Sequence, residues 1–145
     1  MTTTTQTLVS GTNDTLLSTE LNSMASSSST NVLGSAITIT STGYTDGELE
    51  LLANAGSAMT VNTVVYVWLL RAPDGTNYED GGTSVTPLRN PDAIFVVRAA
   101  TANRITKRCR IPPGTFKPLI QQQTGQTWNS SGNTLKLKPF TNQFA

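Results

Sequence analysis

Histidine is absent from this chain of 145 residues, and with it go the usual general base and the commonest metal ligand. A Ser-His-Asp or Cys-His catalytic arrangement is excluded outright. Cysteine occurs once, at Cys109, so the chain can form neither an internal disulfide nor a cysteine-rich zinc site. Charge is sparse: 13% of residues are charged and the formal net charge is +1, a weak basis for phosphate binding. No apolar run approaches the roughly 18 residues that a membrane-spanning helix needs. The TTTTQT that follows Met1 lacks the basic and apolar regions of a signal peptide, so the chain reads as made in a cytoplasm. No cofactor, metal or membrane is expected.

Ser and Thr fill about a quarter of the sequence, a bias towards strands and turns. The length suits one core. Residues 1 to 12 are polar and read as an extended N-terminal arm that lacks the apolar surface to order itself. In LLSTELNSMA the spacing of Leu17, Leu21 and Met24 behind Asp14 or Ser18 predicts a short helix. From residue 31 the period becomes two. LGSAITITS and GELELLA alternate as half-buried strands do, and TVVYVWLLR, residues 63 to 71, is apolar on both faces, as for a central strand covered on each side or facing a partner. AIFVVRAA, NRITKRCRI, GTFKPLIQ and NTLKLKPF follow, each bounded by Gly, Pro or Asn. Pro118 inside the third of these predicts a sheet edge or a bulge. The series predicts an antiparallel β-sandwich, with a jelly roll as the leading version. Residues 1–30 form the arm and helix in this reading, and residues 31–145 the sandwich.

The densest basic stretch is NRITKRCRI. Alternation puts Ile105, Lys107, Cys109 and Ile111 on one face and Arg104, Thr106, Arg108 and Arg110 on the other. The cationic face is either a solvated surface opposite Glu48 and Glu50 or a contact with an acidic protein partner; the lack of interleaved aromatics argues against nucleic acid. Charge is lopsided along the chain. Residues 1 to 60 carry five acidic and no basic groups, whereas residues 61 to 145 carry all ten basic and four acidic groups, which suits pairing between strands or between subunits. In PDGTNYEDGG, Asp74, Asn77, Glu79 and Asp80 offer oxygen ligands but miss the spacing of a calcium loop, so a hydrophilic turn is the default. Trp68 reads as core. Trp128, within TGQTWNSSGN, is open: exposed at a rim, packed under its loop, or buried against another subunit. Cys109 reads as a small buried hydrophobe.

WLLRAPDGTNYEDG, FVVRAATANRITKRCRIPPGTFKPLIQQQTGQTW and SGNTLKLKPFTNQ, taken in that order, resemble a family of small virion proteins of tailed bacteriophages. These are capsid decoration, or cement, proteins with a jelly-roll core. The likeness spans roughly residues 45 to 143, with the Glu20-Leu21-Asn22 region similar as well. It implies a homotrimer on the outside of the capsid that ties major capsid protein subunits together, with an N-terminal arm, here Thr2, Thr3, Thr4 and Thr5, reaching over the lattice. On that reading Arg104, Arg108, Arg110 and Trp128 are candidate interface residues. The competing expectation is a carbohydrate- or host-binding sandwich, such as a tail or fibre protein, with Trp128 as the stacking platform.

Overall fold

Alternating apolar and polar side chains build almost every element of this molecule, whose computed structural model describes residues 6–39 and 44–144. In the first sheet β1 (Gln6–Ser10) and β2 (Asp14–Leu17) lie along one side of β10 (Thr134–Phe144). β5 (Asp46–Asn54) pairs with the other side of β10, and β8 (Ala102–Arg110) closes the sheet. The second sheet repeats this plan. β3 (Val32–Leu33) and β4 (Ile37–Thr38) flank β9 (Thr115–Gln122), followed by β6 (Val64–Arg71) and β7 (Ala93–Val96). All the pairings are antiparallel, and the two sheets form a β-sandwich.

The core lies between the sheets. Leu49, Leu51, Leu135 and Leu137 from the first meet Val65, Val67, Leu69, Phe95, Phe116 and Ile120 from the second, and Leu21, Met24, Met59 and Trp128 belong to the same apolar cluster. Burial of such side chains contributes about 1.5–3 kcal/mol each before entropy is counted.

Several sequence expectations change in the fold. The helix expected over LLSTELNSMA is only a 3-10 turn, Thr19–Leu21, preceded by β2. Ser18 makes no side-chain cap; instead its N–H donates to Glu20 Oε2 at 3.0 Å, which holds the Glu20 carboxyl below its usual range. Leu17, Leu21 and Met24 are all buried, so pairing with β10 and core contact override a helical spacing too short to nucleate alone. Part of the expected arm is strand, because Gln6–Ser10 pairs with Phe140–Phe144. With β1 and β2 hydrogen-bonded into the first sheet, residue 30 does not separate the sandwich from what precedes it. Thr2, Thr3, Thr4 and Thr5 lie outside the described residues.

LGSAITITS gives two short strands rather than one, and the interruption faces Pro118. β9 is an interior strand, not an edge, and Pro118 sits opposite Leu69 of β6. Its carbonyl accepts from Gly34 N at 2.8 Å, in the gap between β3 and β4. A strand residue presents its nitrogen and carbonyl to the same side, so the donor that proline lacks falls where no strand residue opposes it. Gly34 fits because a Cβ there would lie 2.7 Å from Leu17 Cδ2 and 2.7 Å from Pro118 Cγ.

Candidate functional site

The basic strand, β8, forms one margin of a broad charged face. Its register with β5 sets Arg110 opposite Asp46, Arg108 opposite Glu48, Thr106 opposite Glu50 and Arg104 opposite Leu52. On the far side of β5, Lys138 faces Glu48 and Lys136 faces Glu50. A row of carboxylates thus runs down the middle of the outer face of the first sheet, with cations on both flanks. Cross-strand neighbours of opposite sign contribute roughly 0.2–1 kcal/mol each. No ion pair closes on this face among the described residues; those that form link Arg71, Glu79, Arg89 and Asp92 elsewhere. Arg108 instead lies over the Phe140 ring, 4.6 Å from its centroid. Arg104, Arg108 and Arg110 are exposed together on one side of β8, as their alternation requires. The two lysines of β10 were not singled out in the sequence, although LKLK carries the signal: Leu135 and Leu137 are buried and the lysines between them must point away.

The outer face of the second sheet is different in kind. Trp68, Leu70 and Leu119 are buried there, with Leu33, Tyr66 and Tyr78 packed against them. The connection from residue 72 to residue 92 is fastened to this sheet, and the link is chemical as well as steric. β7 begins only at Ala93, so beyond it the edge of β6 has no strand to bond. Asp92 Oδ2 accepts from Leu69 N at 2.7 Å and Arg89 Nη2 donates to Leu69 O at 3.0 Å; Glu79 then bonds Arg71 through both its backbone N–H and its carboxylate. Side chains of the connection continue the ladder. Arg89 binds Glu79 at 2.7 Å and Asp92 at 3.0 Å, while Trp68 Nε1 donates to Arg89 O at 3.2 Å. The Arg89 hydrogen bond, as the largest cause, holds the Glu79 carboxyl below its usual range, and Glu79 in turn raises the Arg89 pKa. Nothing in the spacing of Glu79, Arg89 and Asp92 marks them in sequence, because their shared target is the backbone of a distant strand.

The oxygen-rich loop is occupied with itself. Asp74 Oδ1 accepts from the backbone N–H of Thr76 and Asn77, and those bonds lower its pKa to about 2. Among the described residues no group of three or more His, Cys, Asp or Glu side chains is placed to hold a metal ion. A cleft of about 460 Å³ lies beside the Pro112–Pro113 turn, lined by Tyr44, Thr45, Arg71, Arg110 and Ile111. Its arginines only donate hydrogen bonds.

Trp128 is 2% exposed and packed in the core, where its backbone N–H donates to Met24 O and its indole Nε1 has no acceptor among the described residues. It therefore offers no stacking face to a sugar and no side chain to an interface, which removes the platform of the carbohydrate-binding expectation. Cys109 is buried, and burial, the largest cause, pushes its thiol up to about 12. The glutamines of IQQQTG hold loops in place: Gln121 Nε2 donates to Asn31 Oδ1 at 2.8 Å, and Gln122 Nε2 to Met24 O and Gln126 O. No helix among the described residues is long and apolar enough to cross a membrane.

Comparison of the chain with family models, with curated proteins and with solved structures finds no match.

Proposed function

We propose that this chain is a structural virion protein that docks on the outside of a tailed-phage capsid and stabilises the shell by binding, not by catalysis. The observation that carries the reading is the outer face of the first sheet. It is open to solvent across three strands and presents Arg104, Arg108, Arg110, Lys136 and Lys138 around Asp46, Glu48 and Glu50 without ion pairs, among the described residues, that would occupy them. Such a face suits a partner of complementary charge pattern, since charge complementarity sets register and excludes wrong partners.

Topology supports the same reading. The chain changes sheet at almost every connection, remaining in one sheet only between β6 and β7 and within the split edge pairs β1–β2 and β3–β4. Alternation of this kind in two four-position sheets is in keeping with a jelly roll. The trimer rests on the resemblance alone, because the apolar outer face of β6 that argued for a partner is covered by residues 72–92.

The test is attachment of the purified protein to tailed-phage capsids assembled without it, followed by co-sedimentation. Arg108→Glu is expected to release the protein, Arg108→Ala to weaken it less, and attachment to loosen with salt, since exposed charge is screened beyond about 8–10 Å at physiological ionic strength. Binding that ignores both salt and Arg108→Glu would remove the charged face from the function.

A further inference from the structure

A sandwich has four sheet edges, and three of them here are guarded. β8 carries arginines outward and Lys107 on its inward face, a charge that resists pairing with another strand. The β1–β2 and β3–β4 edges are each broken into short pieces. Among the described strands only β7 is left, and residues 93–97, AIFVV, hold no charge, proline or glycine. Ala93, Phe95 and Val97 are buried, whereas Ile94 is 39% and Val96 55% exposed, opposite the half-buried Tyr66 and Val64 on β6.

The backbone sharpens this. Val97 N donates to Thr63 O, so alternation turns the N–H and C=O of Phe95 towards β6 and those of Ile94 and Val96 towards the open edge. Among the described residues no strand pairs with that edge. It ends abruptly: Asn103 Oδ1 accepts from Arg98 N and Asn103 Nδ2 donates to Arg98 O, capping the next outward-facing pair. The unpaired row is thus two residues long.

We infer that β7 is the site where a second copy of this chain pairs, antiparallel and about a two-fold axis at Phe95. In that register Ile94 of each copy lies opposite Val96 of the other, so both outward donors and both outward acceptors on each chain are satisfied. Shifting the register by one residue sets Ile94 against Phe95, whose backbone groups are already spent on β6. The same register joins the two Val64–Val96–Tyr66–Ile94 surfaces into one apolar strip. An isologous contact of this kind is self-complementary and closes at two chains. It is separate from shell docking, which uses the other sheet.

Light scattering of the full chain up to about 1 mM covers the weak association expected of an interface at the small end of the specific range. The expected result is a dimer, with the Ile94 and Val96 amides, measured by hydrogen exchange, becoming protected as concentration rises. Val96→Lys is expected to give a monomer with an unchanged melting temperature, because Val96 is exposed in the single chain, and to leave capsid attachment intact. Association should strengthen with salt, since the basic β8 strands, which follow β7 in each chain, approach one another across the axis. A monomer throughout the concentration range overturns the inference. So does an oligomer, trimer included, that survives Val96→Lys, and so does one that dissociates as salt rises, an outcome that assigns self-association to the charged face of the first sheet.

Discussion

The outer faces of the two sheets solve the same problem in opposite ways. β5 alternates, so the first sheet sends Glu48 and Glu50 to solvent and keeps Leu49 and Leu51 within. β6 does not alternate: Val65, Val67 and Leu69 fill the core while Trp68 and Leu70 fill a second, smaller cluster behind it. A strand apolar on both faces needs cover, and here the chain supplies it through its own connection rather than through a partner. The lesson concerns inference from composition. An all-apolar strand demonstrates that something lies over it, not that the something is another molecule.

Breaking the cover should cost most. Trp68 is 3% exposed, and Trp68→Ala is expected to destabilise by about 3–5 kcal/mol in denaturant unfolding, the range for removing a buried aromatic. A loss below ~1 kcal/mol would mean the second sheet's outer face is as solvated as the first's. Asp92→Ala comes next. It strips the acceptor from Leu69 N and leaves Arg71 and Arg89 short of a partner, for an expected loss of about 2–3 kcal/mol, since hydrogen bonds to charged groups are the stronger class.

Acid probes the same fastening more gently. The folded-state pKa of Glu79 lies below the ordinary value of 4.5, so its contribution is fully present above that pH and is lost as pH falls through the folded value. Thermal midpoints of the parent chain should therefore drop more steeply below pH 4.5 than those of Glu79→Gln. The difference amounts to ~1 kcal/mol at most, because the pair is partly open to solvent. Parallel acid curves for the two would detach Glu79 from the cover. The smallest effect belongs to the charged face, where Arg108→Ala is expected to change stability by less than about 0.5 kcal/mol, since Arg108 is exposed, faces Glu48 across the ladder without closing an ion pair and rests on the face of the Phe140 ring. Should Arg108→Ala approach Asp92→Ala in cost, the two faces would not differ in kind.

Much of the strand content could be read from alternation, since burial on one face obliges every second residue to be apolar. NRITKRCRI announced both its strand and its exposed side this way, and NTLKLKPF its strand. Where reading failed or left a choice open, the deciding contact came from far along the chain. Trp128 sits in a polar loop, yet Leu21 and Met24, about a hundred residues earlier, share its core cluster. The helical spacing of Leu17, Leu21 and Met24 is genuine, but β10 takes Leu17 into a strand. Pro118 was read as marking an edge or a bulge because proline cannot donate; β9 is interior, and the gap between β3 and β4, across which the register shifts by one residue, meets the same requirement inside the sheet.

What the amino-acid order determined by itself was local and periodic: an all-β chain, the faces of some of its longer strands, a cationic stripe on β8, and the exclusion of an internal disulfide and of histidine-based chemistry within these residues. Tertiary structure alone decided which strands neighbour which. That choice set Glu48 between Arg108 and Lys138, turned residues 72–92 into a lid for Trp68, and left Ile94 and Val96 on an unguarded edge. Alternation specifies what a strand presents to each side, but pairing is settled by how the whole apolar set can be buried at once, and no short window of sequence contains that condition.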